Sequence, residues 1–214
     1  RALRSLSDVG RYLRWFALFT RYRFALVDEL SRCHARQGHR AALLCPALVD
    51  YSRWLDEEVD SSLGDQVAVM GLVSARPNGP AVHGWAPFDP LREAYARAGL
   101  DQTEPIEVVR SALTEHGFLG VKLYPPMGYR PWGNVSGPAQ LYPQRVIDAL
   151  DPHERGIDAA EQDRGVVSQA LNLALIRLYD LCVELDAPIL AHASESNGAA
   201  ATYGPQKGLR PADL

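Results

Sequence analysis

Two short segments hold residues whose types and spacing can do chemistry. In "FLGVKLYPP", residues 118–126, a lysine sits inside an apolar run that breaks into a double proline. In "APILAH", residues 187–192, a histidine ends a second such run. Successive side chains of a strand alternate between its faces. If Val121 and Leu123 face covering helices, then Gly120, Lys122 and Tyr124 face the other way. By the same rule Leu190 and His192 share one face of the second run, and Ile189 and Ala191 the opposite one. An amine and an imidazole at one rim form a metal-binding or acid–base constellation. Each has a plainer explanation when taken alone. A strand-end histidine serves more often as a hydrogen-bonded structural group, and a lysine there can snorkel to solvent or pair with a carboxylate.

The elements that position these residues follow from periodicity and punctuation. Apolar runs at 41–48, 81–88, 118–124 and 188–192 read as four strands, and helical patterns lie between them. The segment 50–59 has helical character, and 65–75 reads as a helix opened by Asp65 and closed by "RPNGP". Residues 89–99 read as a helix with Asp89 as N-cap, Pro90 in the first turn and Gly99 at the end. Further helices are expected at 105–117, 143–150 and 165–185, the last with Leu171, Leu175, Leu178, Cys182 and Leu185 at helical spacing. Strands alternating with helices mean parallel βα units, and no glycine-rich phosphate fingerprint follows any strand. The architecture expected is therefore part of a (β/α)8 barrel. Eight units typically need about 250 residues, so four strands read as a segment of one, apparently truncated at both ends.

In such a barrel the chemistry sits where strands end. Asp89 follows "WAPF" at a strand's C-terminal end, where it faces the site as a catalytic carboxylate or caps the next helix. Asp50, after "CPALV", is similar. The loop "PPMGYRPWGN" carries Tyr129, Arg130, Trp132 and Asn134 over the mouth. It reads as a substrate cover, with Arg130 able to hold a carboxylate as a bidentate donor. Ser194 and Glu195 follow His192 at the same rim. His34, His39, His83, His116 and His153 read as structural or solvated.

These stretches resemble a known family. "GFLGVKLYPPMGYRP" followed by "LYDLCVELDAPILAHASESNG" looks like the amidohydrolase superfamily, in particular its amidohydrolase-related metal-dependent hydrolases, and "ALLCPALVDYSRWL" and "VHGWAPFDPLRE" look like the preceding strands. The likeness covers most of the chain after about residue 40. It implies that residues 41–214 are central βα units, about strands 2 to 5, of such a barrel. It implies that His192 ligates a divalent metal, typically Zn²⁺. It also implies that Lys122 becomes a carbamate bridging two metals, or orients a substrate carboxylate or carbonyl where one metal is used. The reaction implied is cleavage of a C–N or C–O bond of a small organic substrate by metal-activated water. A non-oxidative decarboxylase on the same barrel and a metal-free, degenerate binding module are the alternatives. The family's first-strand H-x-H pair, its sixth-strand histidine and its eighth-strand aspartate are absent, and would lie before Arg1 and after Leu214.

The rest of the chain sets broader expectations. With 47% hydrophobic and 22% charged residues and a net charge of −4, it gives no general reason for a nucleic-acid partner. Cys33, Cys45 and Cys182 are few, odd in number and far apart, and read as buried thiols of a reducing, cytoplasmic setting. No continuous apolar run reaches membrane length, so no membrane is expected; a small-molecule substrate is, with a homo-oligomer allowed. Residues 1–40 form a basic helical segment with nine arginines against three acids. "RYLRWFALFTRYRFALVDEL" has an aromatic and aliphatic side and an arginine side. Such a helix can lie on an anionic membrane or form a lid, but packing on its own domain is the preferred expectation.

Overall fold

The computed structural model describes residues 6–135, 142–150 and 159–193. Five short parallel strand segments, of which β2 and β3 follow one another in a single run of chain, are arranged in chain order. The first, β1 (Leu43–Leu44), pairs with β2 (Ala81–Val82). The pairing runs on through Trp85 N to Pro46 O (2.9 Å) and Leu48 N to Trp85 O (3.1 Å) into β3 (Trp85–Pro87). Beyond it lie β4 (Gly120–Leu123) and β5 (Ile189–Ala191). Trp85, Ala86 and Pro87 stand opposite Gly120, Val121 and Lys122, and Val121, Lys122 and Leu123 stand opposite Ile189, Leu190 and Ala191. The fold is thus α/β with small parallel sheets. Among the described residues this array is open, and no closed barrel is formed.

Helices fill each crossover. Between β1 and β2 come α3 (Ser52–Leu55), a single turn where a longer helical segment was expected, and α4 (Leu63–Ser74). Ser62, not Asp65, caps α4. Its hydroxyl accepts from Asp65 N (3.0 Å), and the Asp65 carboxylate reaches back to Ser62 N, a reciprocal capping box. The sequence reading placed the start at the wrong member of that pair. Between β3 and β4 come α5 (Pro90–Arg97), capped by Asp89 as expected, and α6 (Pro105–Thr114). Between β4 and β5 come α7 (Gln144–Leu150) and α8 (Ala159–Glu184).

One face of the sheet belongs to these helices. Ala86, Phe88, Val121 and Leu123 are buried there with Leu91, Val109, Ala112, Leu171, Leu175 and Leu178 in one apolar core. Val121 and Leu123 therefore point as alternation requires. The stretch Gly165–Glu184 of α8 is, by length and a mean hydropathy of 1.4, apolar enough to cross a membrane, although no uninterrupted apolar run exists. One side of it serves the core, with Val167, Leu171, Ala174, Leu175, Leu178, Leu181 and Cys182 buried, whereas Leu173, Ile176 and Val183 are exposed.

Two expectations fail here. The basic N-terminal segment is not one helix but two, α1 (Leu6–Phe19) and α2 (Arg23–Arg36). The second, α2, is tied to the body through buried Val27 and an Arg76–Asp28 ion pair of 2.9 Å. Among the described residues the apolar side of α1 is largely exposed where packing on its own domain was expected: Tyr12, Leu13, Trp15 and Phe16 are each 53 to 65% exposed. The cysteines also divide. Cys182 is buried in the core, whereas Cys33 and Cys45 are exposed, because α2 presents Cys33 outward and β1 forms one edge of the array.

Candidate functional site

Register brings the two chemical segments together. Lys122 stands opposite Leu190, so both side chains leave the same face of the sheet, and His192, whose N–H donates to Leu123 O (3.1 Å), falls beside Tyr124. The Tyr124 and His192 rings lie 4.8 Å apart between centroids, tilted by 59°. Lys122 Nζ lies 5.9 Å from the centre of the same Tyr124 ring, within reach of a cation–π contact. Amine, phenol and imidazole are thus gathered where two neighbouring strands end.

Burial tunes both bases in one direction. Lys122 is nearly buried, and loss of solvent lowers its pKa from the ordinary lysine value. His192 is lowered as well, first by its partial burial and then by the positive charge of Lys122. Both groups are thereby pushed toward their neutral, lone-pair-bearing forms. That is the state in which an imidazole ligates metal and an amine acts as a nucleophile or base.

A second layer holds Tyr124. The peptide N–H of Tyr124 donates to the Tyr129 hydroxyl (2.8 Å). The Tyr129 ring stacks on Trp54 at 6.3 Å and 21°. The indole N–H of Trp54 donates to Asp89 Oδ1 (2.8 Å), and Asp89 accepts from the backbone N–H groups of Leu91 and Arg92 at the start of α5. The turn that makes this possible is Pro125–Met127, ended by Gly128 at φ 139°. A Cβ at Gly128 would lie 2.7 Å from the Trp54 ring, so only glycine lets the loop pass so close.

The sequence-expected residues fall into three groups. Lys122, Tyr124 and His192 meet. Asp89 sits at the same end of the sheet, but both its oxygens are committed to the α5 cap and to Trp54; the helix-cap explanation is the one the geometry displays. Asp50 likewise is bound by Arg92, whose Nε lies 2.6 Å from Oδ2. Arg92 also reaches Asp101 (2.8 Å), which in turn holds Arg53 (2.6 Å), in a buried network that locks α3 against α5. In the loop, Trp132 is exposed with its ring 6.4 Å from that of Tyr179 on α8, and Arg130 has its backbone held by Asn134 while its Nε is buried without a hydrogen-bond partner. Tyr129 is not part of a cover. It is buried beneath Tyr124, where loss of solvent pushes its phenol well above the usual range. Ser194, Glu195 and His153 lie outside the described residues. His83 contacts Gly117 O (2.8 Å), consistent with a structural role. Sequence reasoning missed Trp54 as the support of the site. Its only signal was an aromatic in a short amphipathic turn just after a strand.

Comparison with family models, curated proteins and solved structures returned no match. No family is shown by these comparisons, and the functional reading rests on residues and geometry.

Proposed function

We propose that this chain is the central part of a (β/α)8-type metal-dependent hydrolase of the amidohydrolase-related kind, acting on a C–N or C–O bond of a small organic substrate. One observation supports the reading above all. The Lys122 amine and the His192 imidazole converge around Tyr124 at the C-terminal ends of adjacent parallel strands, which is where barrel enzymes place their chemistry.

The donors present fit a divalent metal in part. His192, held toward its neutral form, is a suitable zinc ligand. Among the described residues no group of three or more His, Cys, Asp or Glu surrounds a common point, so the remaining ligands would come from residues outside them. When bound, Zn²⁺ would lower the pKa of its water to about 7 and polarise the scissile carbonyl. The chain's own residues do the rest. Lys122 in its neutral form adds to CO2 and loses a proton, giving an anionic carbamate that suits a cation, or it orients a substrate carbonyl. Tyr124 walls the site between Lys122 and His192. Arg130 offers its guanidinium to a substrate carboxylate, Trp132 covers it, and Ser194 and Glu195, which follow His192 in the sequence, supply hydroxyl and carboxylate groups.

The test is metal content and turnover. The full chain, purified with zinc, should lose at least about tenfold in bound metal when His192 becomes alanine, as expected for removing a direct ligand. Hydrolysis of amide and ester panels should fall with it. Unchanged metal and unchanged hydrolysis in His192→Ala would end the proposal. Release of CO2 in place of amide or ester cleavage would move it to the decarboxylase alternative.

A further inference from the structure

The helix α1 is the most conspicuous surface feature that this reading does not use. Drawn at 100° per residue, Tyr12, Leu13, Trp15 and Phe16 fall on one side with Val9, and Arg11 and Arg14 fall on the other. Each of the four large side chains is more than half exposed. The exposed aromatics of the protein concentrate here. Seven aromatic side chains are exposed among the described residues, and five of them (Tyr12, Trp15, Phe16, Tyr22 and Phe24) lie within thirteen consecutive positions. Residues 11–24 carry Arg11, Arg14, Arg21 and Arg23 and no acid. Nearby, Glu29 is already shared by Arg21, Arg32 and Arg36, and Asp28 is taken by Arg76. With Asp8 the one acid of α1 itself, residues 6–24 carry four arginines against one acid.

We propose that α1 is an interfacial anchor that lies in the plane of an anionic lipid surface, its Tyr12–Leu13–Trp15–Phe16 side sunk among the acyl chains and its arginines at the headgroups. Charge decides the occupant. A second copy of this chain would bring an equally basic helix to the contact and repel it, whereas an anionic leaflet attracts each arginine. Trp and Tyr favour the boundary between headgroup and hydrocarbon because one end of each is polar. At 14 residues α1 is too short to span a bilayer; it lies on the surface. The helix α2 holds this anchor to the body through Val27 and Asp28, so docking at α1 leaves the Lys122 and His192 end of the sheet unaltered.

The experiment mixes the full chain with vesicles of phosphatidylcholine alone and of phosphatidylcholine with a third phosphatidylserine. Co-sedimentation and tryptophan emission are the readouts. Binding should be confined to the phosphatidylserine vesicles, weaken as salt rises, and blue-shift the emission through Trp15. Leu13→Asp with Phe16→Asp, both on exposed positions, should lower partitioning at least about tenfold without altering the circular dichroism. Arg11→Glu with Arg14→Glu should do the same by removing the attraction of anionic lipid for basic side chains. Trp15→Phe should abolish the blue shift and retain binding. No binding, equal binding to neutral vesicles, or binding that survives both double substitutions would overturn the proposal. So would a concentration-dependent dimer that Phe16→Asp dissolves in the absence of lipid binding, which would assign the face to a second copy.

Discussion

Two demands meet on the carboxylate of Asp89. As the N-cap of α5 it should be ionised, and Trp54, Leu91 and Arg92 all donate to it. Yet it is 1% exposed and lies near Asp50, and burial followed by that like charge raises its pKa from 3.8 to about 7, against the pull of those donors and of the Arg92 guanidinium. An acid raised in the folded state binds its proton more tightly there than when unfolded. Its contribution to stability is full below about pH 4, declines as the pH rises toward 7 and is gone above. Asparagine keeps an acceptor for Trp54 and caps helices well, but does not titrate. Wild type should therefore lose stability relative to Asp89→Asn between pH 4 and pH 7, by on the order of 3 kcal/mol. Paired urea melts across that range check this, since titrating groups far from Asp89 cancel in the difference. A constant difference would mean that Asp89 stays ionised throughout.

The strands show why the site was legible in the sequence and its support was not. Strand alternation depends only on spacing, so the shared face of Lys122 and Tyr124, and that of Leu190 and His192, follows from the order of residues once each run is taken as a strand. Parallel register then makes the two faces coincide. The Asp89–Pro90 start of α5 was equally local. What was not legible depends on tertiary approach. Tyr129 reads as a loop aromatic, and only the turn at Gly128 sends it inward. The break between α1 and α2 at residues 20–22 contains no proline or glycine, so periodicity runs straight across it. Amphipathicity likewise announces that α1 has an apolar side without saying that, among the described residues, this side stays largely exposed. Gly120 belongs to this tertiary class. A Cβ there would lie 2.2 Å from Pro188 O and 2.7 Å from the Trp85 ring, so β4 can approach β5 only without a side chain at this position. Gly120→Ala should destabilise the fold by about 1–3 kcal/mol, the range for overpacking. It should also disturb Lys122, two residues along the same face. Thermal melts measure the first effect, and an NMR titration of His192 that moves toward its ordinary pKa measures the second.

At the scale of the molecule the sheet is unfinished on two counts. Parallel sheets ordinarily have both faces covered, yet on the Lys122 side Leu190 remains 40% exposed, and the edge strand β5 also exposes Ile189. Among the described residues its outer edge is open as well. Pro188 O and His192 N are bonded to β4, so the two-residue repeat turns the Leu190 N–H toward β4 and those of Ile189 and Ala191 away from it. A barrel reading calls for a further strand at that edge, lying against the same amides and shielding Leu190. Hydrogen exchange distinguishes the open array from a covered one residue by residue. In this chain the amides of Ile189 and Ala191 should exchange at least about a hundredfold faster than those of Leu190 and His192, because only the latter two must break a ladder bond to open. Matched protection of all four would mean that another strand already occupies the edge, and the Lys122 and His192 groups would then face a closed interior.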